Sequence, residues 1–205
     1  NASVYARELL SLASGKSVAA LLADRELYAS EEIEEKLNGF LARILAGEPL
    51  AYILGEWSFY GLPFLVTPDV LIPRDDTMAV TDLAISAART YPAPQRVLDL
   101  CTGSGCIGLA LAHCVETARV TLADISEPAL RVAKQNVANL QFEYLREKAK
   151  AGDSFVVVGR CSETILREYK CLVSIFVGGD ISKKAERVMK YYNMTEKEAR
   201  EFMKE

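Results

Sequence analysis

The sequence predicts an α/β protein whose main domain is a doubly wound parallel sheet, preceded by a helical bundle and a β-hairpin. Three observations predict this fold class. Residues 3–54 carry apolar side chains at three- and four-residue spacing, which is typical of helices. Residues 56–74 are rich in aromatic and β-branched residues and contain turn-forming Gly and Pro. From residue 97 onward, short apolar runs alternate with helical patterns, which indicates parallel strands joined by helices.

The N-terminal helical bundle is predicted over residues 1–54. Its helical pattern breaks at Gly15, a residue type that permits a change of chain direction. Ser30 is followed by acidic residues, which predicts an N-cap and a helix that runs to about Leu45. A Gly and a Pro shortly afterwards end that helix.

A β-hairpin is predicted over residues 55–74, where it joins the bundle to the sheet domain. The segments Gly61-Leu62-Pro63 and Pro68-Asp69 are its predicted turns. Its aromatic side chains either form a substrate surface or pack as the core of the hairpin, and core packing is the favoured interpretation. These aromatic residues are Trp57, Phe59 and Tyr60.

The α/β domain is predicted over residues 75–205, and it begins with a helix over 77–89 for which Asp76 or Thr77 is the expected cap. Its four parallel strands are expected at 97–100, 119–123, 155–159 and 172–177. Right-handed crossovers are assumed, and the strand order is predicted to be 2-1-3-4, with the third strand beside the first. This order places a ligand site outside the carboxyl ends of the strands, at the topological switch point.

The segment VLDLCTGSGCIG, residues 97–108, places a glycine-rich turn between a strand and a helix. The strand is apolar except for Asp99, and we expect it to be a buried parallel strand. Small residues then permit a tight turn against which a ligand can lie. These are Thr102, Gly103, Ser104 and Gly105. The helix from Cys106 is apolar, so we expect it to pack onto the sheet and to present free N–H groups to one pocket.

Asp124 follows the predicted strand 119–123 and lies 19 residues after Gly105. A carboxylate at this strand tip accepts both hydroxyls of a ribose. The alternative is that Asp124 caps the next helix, for which Ser126 is also a candidate. The glycine turn and the acid occur together, and this combination favours a nucleoside site.

Composition excludes several classes of protein. The chain has 205 residues, half of them hydrophobic, yet no uninterrupted apolar run is long enough to span a membrane. The first residues lack a basic segment followed by an apolar one, so we expect a soluble, cytoplasmic protein. The net charge of −4 argues against a nucleic-acid partner.

The five cysteines show no CxxC spacing, and most lie in apolar runs. We therefore expect buried free thiols in a reducing compartment. The single histidine, His113, lies in an apolar helix without a cluster of other ligands, so it is interpreted as structural and no metal site is predicted.

The pattern Asp99-x-Cys101-x-Gly103-x-Gly105 resembles motif I of the class I methyltransferases that use S-adenosylmethionine (SAM), with Cys101 at the first glycine position. Residues 47–74, followed by RVLDLCTGSGCIGLALA, resemble more closely the protein-(glutamine-N5) methyltransferases that act on peptide-chain release factors. This resemblance covers roughly residues 1–140. It implies a Rossmann-like domain in which the turn, Cys101 to Gly105, contacts the methionine part of SAM and Asp124 binds the ribose.

The resemblance also implies that Arg74 and Thr77 border the SAM pocket. The family usually has Pro where Asp75 stands and Glu where Met78 stands, so this chain departs from the pattern there. In that family a helical N-terminal domain helps to grip the protein substrate, which makes a release factor the implied partner. Amphipathicity alone fits a bundle that serves only as a folding cap equally well.

Methyltransferases of this family carry an N-P-P-Y motif at the end of the fourth strand, where it holds the substrate amide. This chain contains no Pro after Pro128, so the motif is absent and no catalytic residue is assigned. Residues from about 142 resemble cytidylate-kinase-like P-loop proteins, in which Arg160 lies near the nucleotide acceptor. The phosphate-binding pattern G-x-x-x-x-G-K-[ST] is nevertheless missing, because SGKS at 14–17 lacks the first Gly and a preceding strand.

Segments from two families therefore meet near residues 140–142, and neither catalytic set is complete. We expect an engineered or recombined chimera rather than a natural enzyme. Three functions compete: a SAM-binding protein with residual methyl transfer, a folded chimera without a reaction, and a nucleotide kinase-like protein. The missing phosphate-binding loop makes the third the weakest. The C-terminal segment is expected to be helical, and its last helix carries a capping box of Thr195 and Glu198.

Overall fold

The computed structural model describes most of the first three quarters of the chain and short parts of the remainder. The described residues are 2–23, 29–152, 166–169, 185, 186, 188–190 and 194–202. The predicted strands 155–159 and 172–177, together with Arg160, lie outside them. The chain divides into two compact units, residues 1–148 and 149–205, and each is described by itself.

The described elements follow the order that the sequence predicts: helices, then a hairpin, then alternating helices and strands. They are α1 Ala2–Ser14, α2 Val18–Ala23, α3 Glu31–Leu45, α4 Leu50–Leu54, β1 Glu56–Phe59, β2 Leu62–Leu65, α5 Asp76–Thr90, β3 Arg96–Leu100, α6 Cys106–Cys114, β4 Arg119–Ala123, α7 Glu127–Lys150 and α8 Glu196–Phe202. Helices α1 to α4 confirm the helical N-terminal segment, and Ser30 caps α3 by accepting a hydrogen bond from the Ile33 amide over 3.4 Å.

The N-terminal helices pack around a small apolar cluster. Leu9 of α1 is buried there with Leu50 and Ile53 of α4. Helix α3 contributes half-buried side chains, Leu37 and Phe40 among them, and none of its residues is fully buried. The helices are therefore held by one shallow apolar layer.

Strands β1 and β2 form an antiparallel hairpin in which Phe59 pairs with Leu62. The connecting residues, Tyr60 and Gly61, both have positive φ angles, 55° and 76°, as a two-residue type I′ turn requires. The turn was predicted one residue later, and Leu62 and Pro63 instead lie in β2. The interpretation of the hairpin aromatics as core is confirmed for Phe59, which is 1% exposed and contacts the ring of Phe64 edge-on.

Strands β3 and β4 pair in parallel, with Val97 opposite Val120 and Asp99 opposite Leu122. Helices α5 and α6 pack on the face that carries the two valines, which confirms that α6 covers the sheet. The opposite face is open: Leu98 is 62% exposed. The expectation that this strand is buried is therefore wrong, because the described helices that pack on the sheet cover one face only.

The strand order 2-1-3-4 is not confirmed. Within the described residues the protein has two sheets of two strands each, β1 with β2 and β3 with β4. The first and second predicted strands do pair in parallel, as expected. A doubly wound sheet needs helices on both faces and more strands than the described part contains.

Helix α5 begins differently from the prediction. Its N-cap is Asp75, whose side chain makes no capping hydrogen bond, and not Asp76 or Thr77. Residues 127–150 form one continuous helix, so the predicted junction near residues 140–142 lies inside α7. The long helix therefore runs from the methyltransferase-like segment into the kinase-like one.

The second unit is described mainly through α8. Thr195 precedes this helix, and its amide and hydroxyl both donate to Glu198 Oε2, over 2.8 and 2.6 Å. The Glu198 amide is 3.5 Å from the Thr195 hydroxyl oxygen, so the predicted capping box is confirmed. None of the helices in the described parts of the chain is long and apolar enough to cross a membrane.

Candidate functional site

The glycine turn between β3 and α6 is held by its own amides. The Thr102 amide donates to the Ala123 carbonyl over 3.0 Å, and the Gly105 amide donates to the Thr102 carbonyl over 2.8 Å. The Gly103 amide donates to Asp124 Oδ2 over 2.9 Å. The expectation of free N–H groups is therefore wrong for these three amides, which hold the turn in shape.

Asp99 stabilises the start of α6. Its Oδ2 accepts hydrogen bonds from the Thr102 hydroxyl over 2.7 Å and from the Gly108 amide over 2.9 Å. The carboxylate is half-buried on the helix-covered face of the sheet. Its charge compensates amide groups at the N-terminus of α6, where carboxylates are favourable. The structure thus gives Asp99 a role in holding the turn, and direct contact with a cofactor stays a prediction.

Asp124 joins the turn to the start of α7. Besides the Gly103 amide, its Oδ1 accepts the Ser126 amide over 2.9 Å. These backbone hydrogen bonds, that of Ser126 first, hold the pKa of the Asp124 carboxyl below its usual value. Ser126 Oγ accepts the Ala129 amide over 3.3 Å, so Ser126 is the side-chain cap of α7. The helix-cap interpretation therefore applies to Ser126. Asp124 is a carboxylate directly after β4 that accepts two backbone hydrogen bonds.

Three residues around the turn face open space. A β-carbon placed on Gly103 would meet no atom within 4 Å. Cys101 is exposed and has a φ angle of 60°, a left-handed conformation that a glycine adopts without strain. Ile125, directly after Asp124, is fully exposed. Sequence reasoning did not single out Ile125, although an apolar residue beside a candidate ribose acid is the signal that would have found it.

Ser104 is the buried member of the turn. Its side chain is 2% exposed, and Oγ has no hydrogen-bond partner among the described residues. It lies near the Cys106 thiol, whose pKa is raised by burial and lowered in part by the Ser104 hydroxyl. The Ser104 carbonyl accepts a hydrogen bond from Asn136 Nδ2 over 2.9 Å. Sequence reasoning missed Asn136, which is polar although it lies on the buried face of α7.

Among the described residues, no hydrogen bond joins Arg74 or Thr77 to the turn. Arg74 instead lines a cavity of about 520 Å³ together with Asp75 and apolar residues. The apolar lining consists of Pro49, Tyr52, Trp57, Leu71, Ile72 and Pro73. Thr77 accepts the Thr81 hydroxyl at its carbonyl, within α5. The predicted role of both residues at a SAM pocket stays a prediction.

The described thiols and the histidine differ from one another in how far they are buried. Cys106 is buried, Cys114 is half-buried and Cys101 is exposed, so the expectation of buried thiols is wrong for Cys101. Cys161 and Cys171 lie outside the described residues. His113 lies in the apolar helix α6, as the sequence predicts, and its side chain is exposed. Across the described parts of the chain, no group of three or more His, Cys, Asp or Glu side chains is arranged to hold a metal ion.

Comparison with protein families divides the chain into two matched regions. Residues 1–55 match the PrmC N-terminal domain, and residues 106–205 match the cytidylate kinase-like family. Both families were predicted from the sequence, but the kinase-like match begins at residue 106, well before the predicted start near residue 142. Each match covers less than half of the chain.

Comparison with individual proteins extends the first resemblance through the glycine turn. The chain is 42% identical over 148 residues to a release factor glutamine methyltransferase of Bordetella pertussis, covering 72% of this chain and 53% of the relative. It is 46% identical over 104 residues to the protein of that name from Vibrio cholerae, covering 51% of this chain and 36% of the relative. The chain thus spans about half, or less, of the curated relatives it matches.

A solved protein-(glutamine-N5) methyltransferase, described as release factor-specific and from Alicyclobacillus acidocaldarius, is also similar to the chain. It is 26% identical, with 63% of this chain and 85% of that chain covered. The TM-score is 0.26, which is too low to carry an argument about the fold.

Proposed function

We propose that this chain is a SAM-binding protein derived from the protein-(glutamine-N5) methyltransferases of release factors, with an incomplete catalytic site. The contact between the Gly103 amide and Asp124 carries the proposal. It brings together the glycine turn and the acid that the sequence pattern associates with a nucleoside. The relatives named release factor glutamine methyltransferase support the same assignment.

The residues around the turn fit an adenosyl group. Each Asp124 oxygen accepts one backbone amide, and a carboxylate oxygen has a second lone pair that can accept a ribose hydroxyl. The open side of Gly103 admits a ligand atom against the backbone, and the exposed Ile125 side chain offers an apolar surface to a purine.

When bound, SAM supplies a methyl group activated by its sulfonium charge. In this proposal Asp124 holds the ribose with a carboxylate that is ionised at neutral pH, as an aspartate ordinarily is. Asp99 keeps Thr102 and Gly108 in position, so that the turn retains the shape the ligand needs. None of these residues positions a second substrate for reaction with the methyl group.

The proposed site is incomplete because the chain lacks the motif that holds the substrate amide in the resembled family. Residues 129–205 contain no Pro, which excludes an N-P-P-Y motif there. Residues 106–205 match the cytidylate kinase-like family, and this match overlaps the 148-residue methyltransferase alignment. The overlap includes part of α7, the helix in which the two resemblances meet. The proposal therefore includes a chimeric origin.

The second candidate is a folded chimera without any reaction, and the same division of family matches favours it. A kinase function is disfavoured by the N-terminal SGKS segment. It follows helix α1 rather than a strand, and Ser17 caps α2 by accepting the Ala20 amide over 3.2 Å. This segment is therefore a turn between two helices and not a phosphate-binding loop.

Calorimetric titration with SAM, S-adenosylhomocysteine and ATP tests the proposal. We expect the two adenosyl ligands to bind with one site per chain and ATP to bind more weakly, because the turn lacks a phosphate-binding lysine. A methyl-transfer assay on a release factor then separates binding from turnover. Absence of binding by both adenosyl ligands, in a chain shown to be folded by circular dichroism, would leave the inert chimera as the function.

A further inference from the structure

Asn136, in the middle of α7, joins two segments that are far apart in the sequence. Its Oδ1 accepts the Leu65 amide over 2.7 Å, and its Nδ2 donates to the Leu65 carbonyl over 3.0 Å. The second N–H of the same Nδ2 donates to the Ser104 carbonyl over 2.9 Å. The side chain is 0% exposed, and both of its donors are used.

The two joined segments are the end of the hairpin and the glycine turn. Leu65 is the last residue of β2, and the Asn136 carboxamide pairs with its backbone as a neighbouring strand would. Ser104 lies in the turn, next to Gly103, whose amide binds Asp124. Because the carboxamide is buried, neither partner can move away without leaving a polar group unpaired in a low-dielectric interior.

We propose that Asn136 is a positioning residue that couples occupation of the glycine turn to the order of the β1–β2 hairpin. The inference rests on the proposed function, since the occupant of the turn is the adenosyl ligand. A ligand that fixes the turn also fixes the Ser104 carbonyl, and Asn136 passes this restraint to Leu65. By thermodynamic linkage, a partner that orders the hairpin strengthens adenosyl binding by the same factor.

The coupling reaches a second site because the hairpin carries part of the 520 Å³ cavity. Trp57 of β1 lines this cavity beside Arg74, and Trp57 pairs with Phe64 of β2. A molecule that occupies the cavity therefore contacts the element whose last residue Asn136 holds. Apolar contacts of Phe59 and Phe64 with α6 also join the hairpin to the sheet domain, so the test must separate the two routes.

Amide hydrogen exchange of Leu65, measured by NMR on the full chain with and without S-adenosylhomocysteine, is the direct test. We expect the ligand to slow this exchange by about fivefold or more beyond its effect on Leu111, a buried residue of α6 that reports general stabilisation. Asn136→Asp keeps the acceptor and replaces both donors by an oxygen, so it should abolish the additional slowing. Asn139→Asp, at an exposed position of the same helix, is the matched control and should retain it.

A ligand-free arm keeps the inference separate from the proposed function. Asp124→Ala releases the Gly103 amide and loosens the turn without touching the hairpin. We expect Leu65 exchange to accelerate relative to Leu111 in this variant, and the acceleration to vanish when Asn136→Asp is also present. If Asn136→Asp does not fold, Asn136→Ala, which removes the same donors without adding a charge, replaces it in both comparisons.

The outcomes distinguish the two proposals. If Asp124→Ala accelerates Leu65 exchange but the parent chain binds no adenosyl ligand, the coupling is supported and the proposed ligand is rejected. Adenosyl binding that leaves Leu65 exchange equal to that of Leu111 rejects the coupling and leaves the proposed function intact. If the ligand slows Leu65 exchange equally in Asn136→Asp and Asn139→Asp, the apolar contacts with α6 carry the restraint. That result also overturns the proposed role of Asn136.

Discussion

The Gly108 amide donates to Asp99 Oδ2 over 2.9 Å, and a β-carbon at position 108 would also lie 2.9 Å from that oxygen. The same β-carbon would lie 2.5 Å from Leu122 Cδ2 and 3.1 Å from Asp99 Cβ. Helix α6 therefore approaches the sheet at a distance that only a glycine allows. This close approach lets Asp99 accept the helix amide and the Thr102 hydroxyl together, and so fixes the turn.

Substitution Gly108→Ala should destabilise the protein by about 1–3 kcal/mol, because the added methyl group forces α6 away from β3 and β4. Urea unfolding monitored by circular dichroism measures the change. Gly39→Ala is the matched control, since Gly39 lies in α3 and a β-carbon there meets no atom within 4 Å. It should stabilise its helix by roughly 0.5–1 kcal/mol. If the Gly108→Ala protein is as stable as the parent chain, α6 can shift away from the sheet without lowering the free energy of unfolding.

Substitution Asp124→Ala should weaken S-adenosylhomocysteine binding roughly ten- to a hundredfold, because the ribose hydroxyls lose a charged acceptor. Calorimetry on the folded variant measures the affinity. Glu116→Ala removes an exposed carboxylate from the other end of β4 and should leave the affinity unchanged. Equal affinities in both variants would reject the ribose role and leave Asp124 as a support for the turn.

The depressed pKa of Asp124 predicts a pH dependence of the free energy of unfolding. In the unfolded chain the carboxyl titrates near its ordinary pKa of about 3.9, so its contribution is fully present above that pH. The contribution is lost as the pH falls from about 5 through the lower pKa of the folded state. The parent chain should therefore lose more stability than Asp124→Asn between about pH 5 and pH 3. The free energy of unfolding is measured with urea at each pH. An equal loss in the two proteins between these pH values would contradict the prediction.

The fully exposed Ile125 gives a test of the base-binding surface that does not disturb folding. Ile125→Ala should weaken adenosyl binding roughly three- to tenfold, since covering part of an aliphatic side chain contributes about 1 kcal/mol. The free energy of unfolding should change by less than about 0.5 kcal/mol. Leu45→Ala truncates another highly exposed side chain, in α3. It should leave adenosyl affinity unchanged and alter the free energy of unfolding by less than about 0.5 kcal/mol. Unchanged affinity in Ile125→Ala would place the base elsewhere.

Local residue patterns predicted those parts of the fold whose structure depends mainly on neighbouring residues in the sequence. Ser30 and its following acids predicted the start of α3, and the glycines with Asp99 predicted the strand–turn–helix unit. The contact of Gly103 with Asp124 was predictable because parallel pairing of β3 and β4 brings their carboxyl ends together.

Features that depend on distant neighbours were not predictable. Leu98 and Leu100 fit a buried strand, and whether a second layer covers them depends on residues elsewhere in the chain. Asn136 fits an ordinary surface position in a polar stretch of helix, and only the structure shows that it is buried and bonded to Leu65 and Ser104. The amides of the turn were expected to be free because their partners, such as Asp124, come from another strand.

The last prediction concerns turnover. Methyl transfer to glutamine needs an amide nitrogen held in line with the sulfonium methyl group, and such positioning contributes roughly 7–11 kcal/mol to lowering a barrier. The motif that provides it in the resembled family has no counterpart in residues 129–205, which lack Pro. The nearest replacement in chain position, Arg160, carries only donors and cannot accept the N–H of an amide.

We therefore expect this chain to methylate a release factor at a rate orders of magnitude below that of a complete relative, even where it binds SAM. An assay with labelled SAM and purified release factor measures the rate, and a full-length release factor glutamine methyltransferase serves as the positive control. The chain with Asp124→Ala distinguishes enzymatic transfer from background labelling, because it lacks the proposed ribose contact. A rate close to that of the positive control, lost in Asp124→Ala, would mean that another residue positions the amide and that the catalytic site is complete.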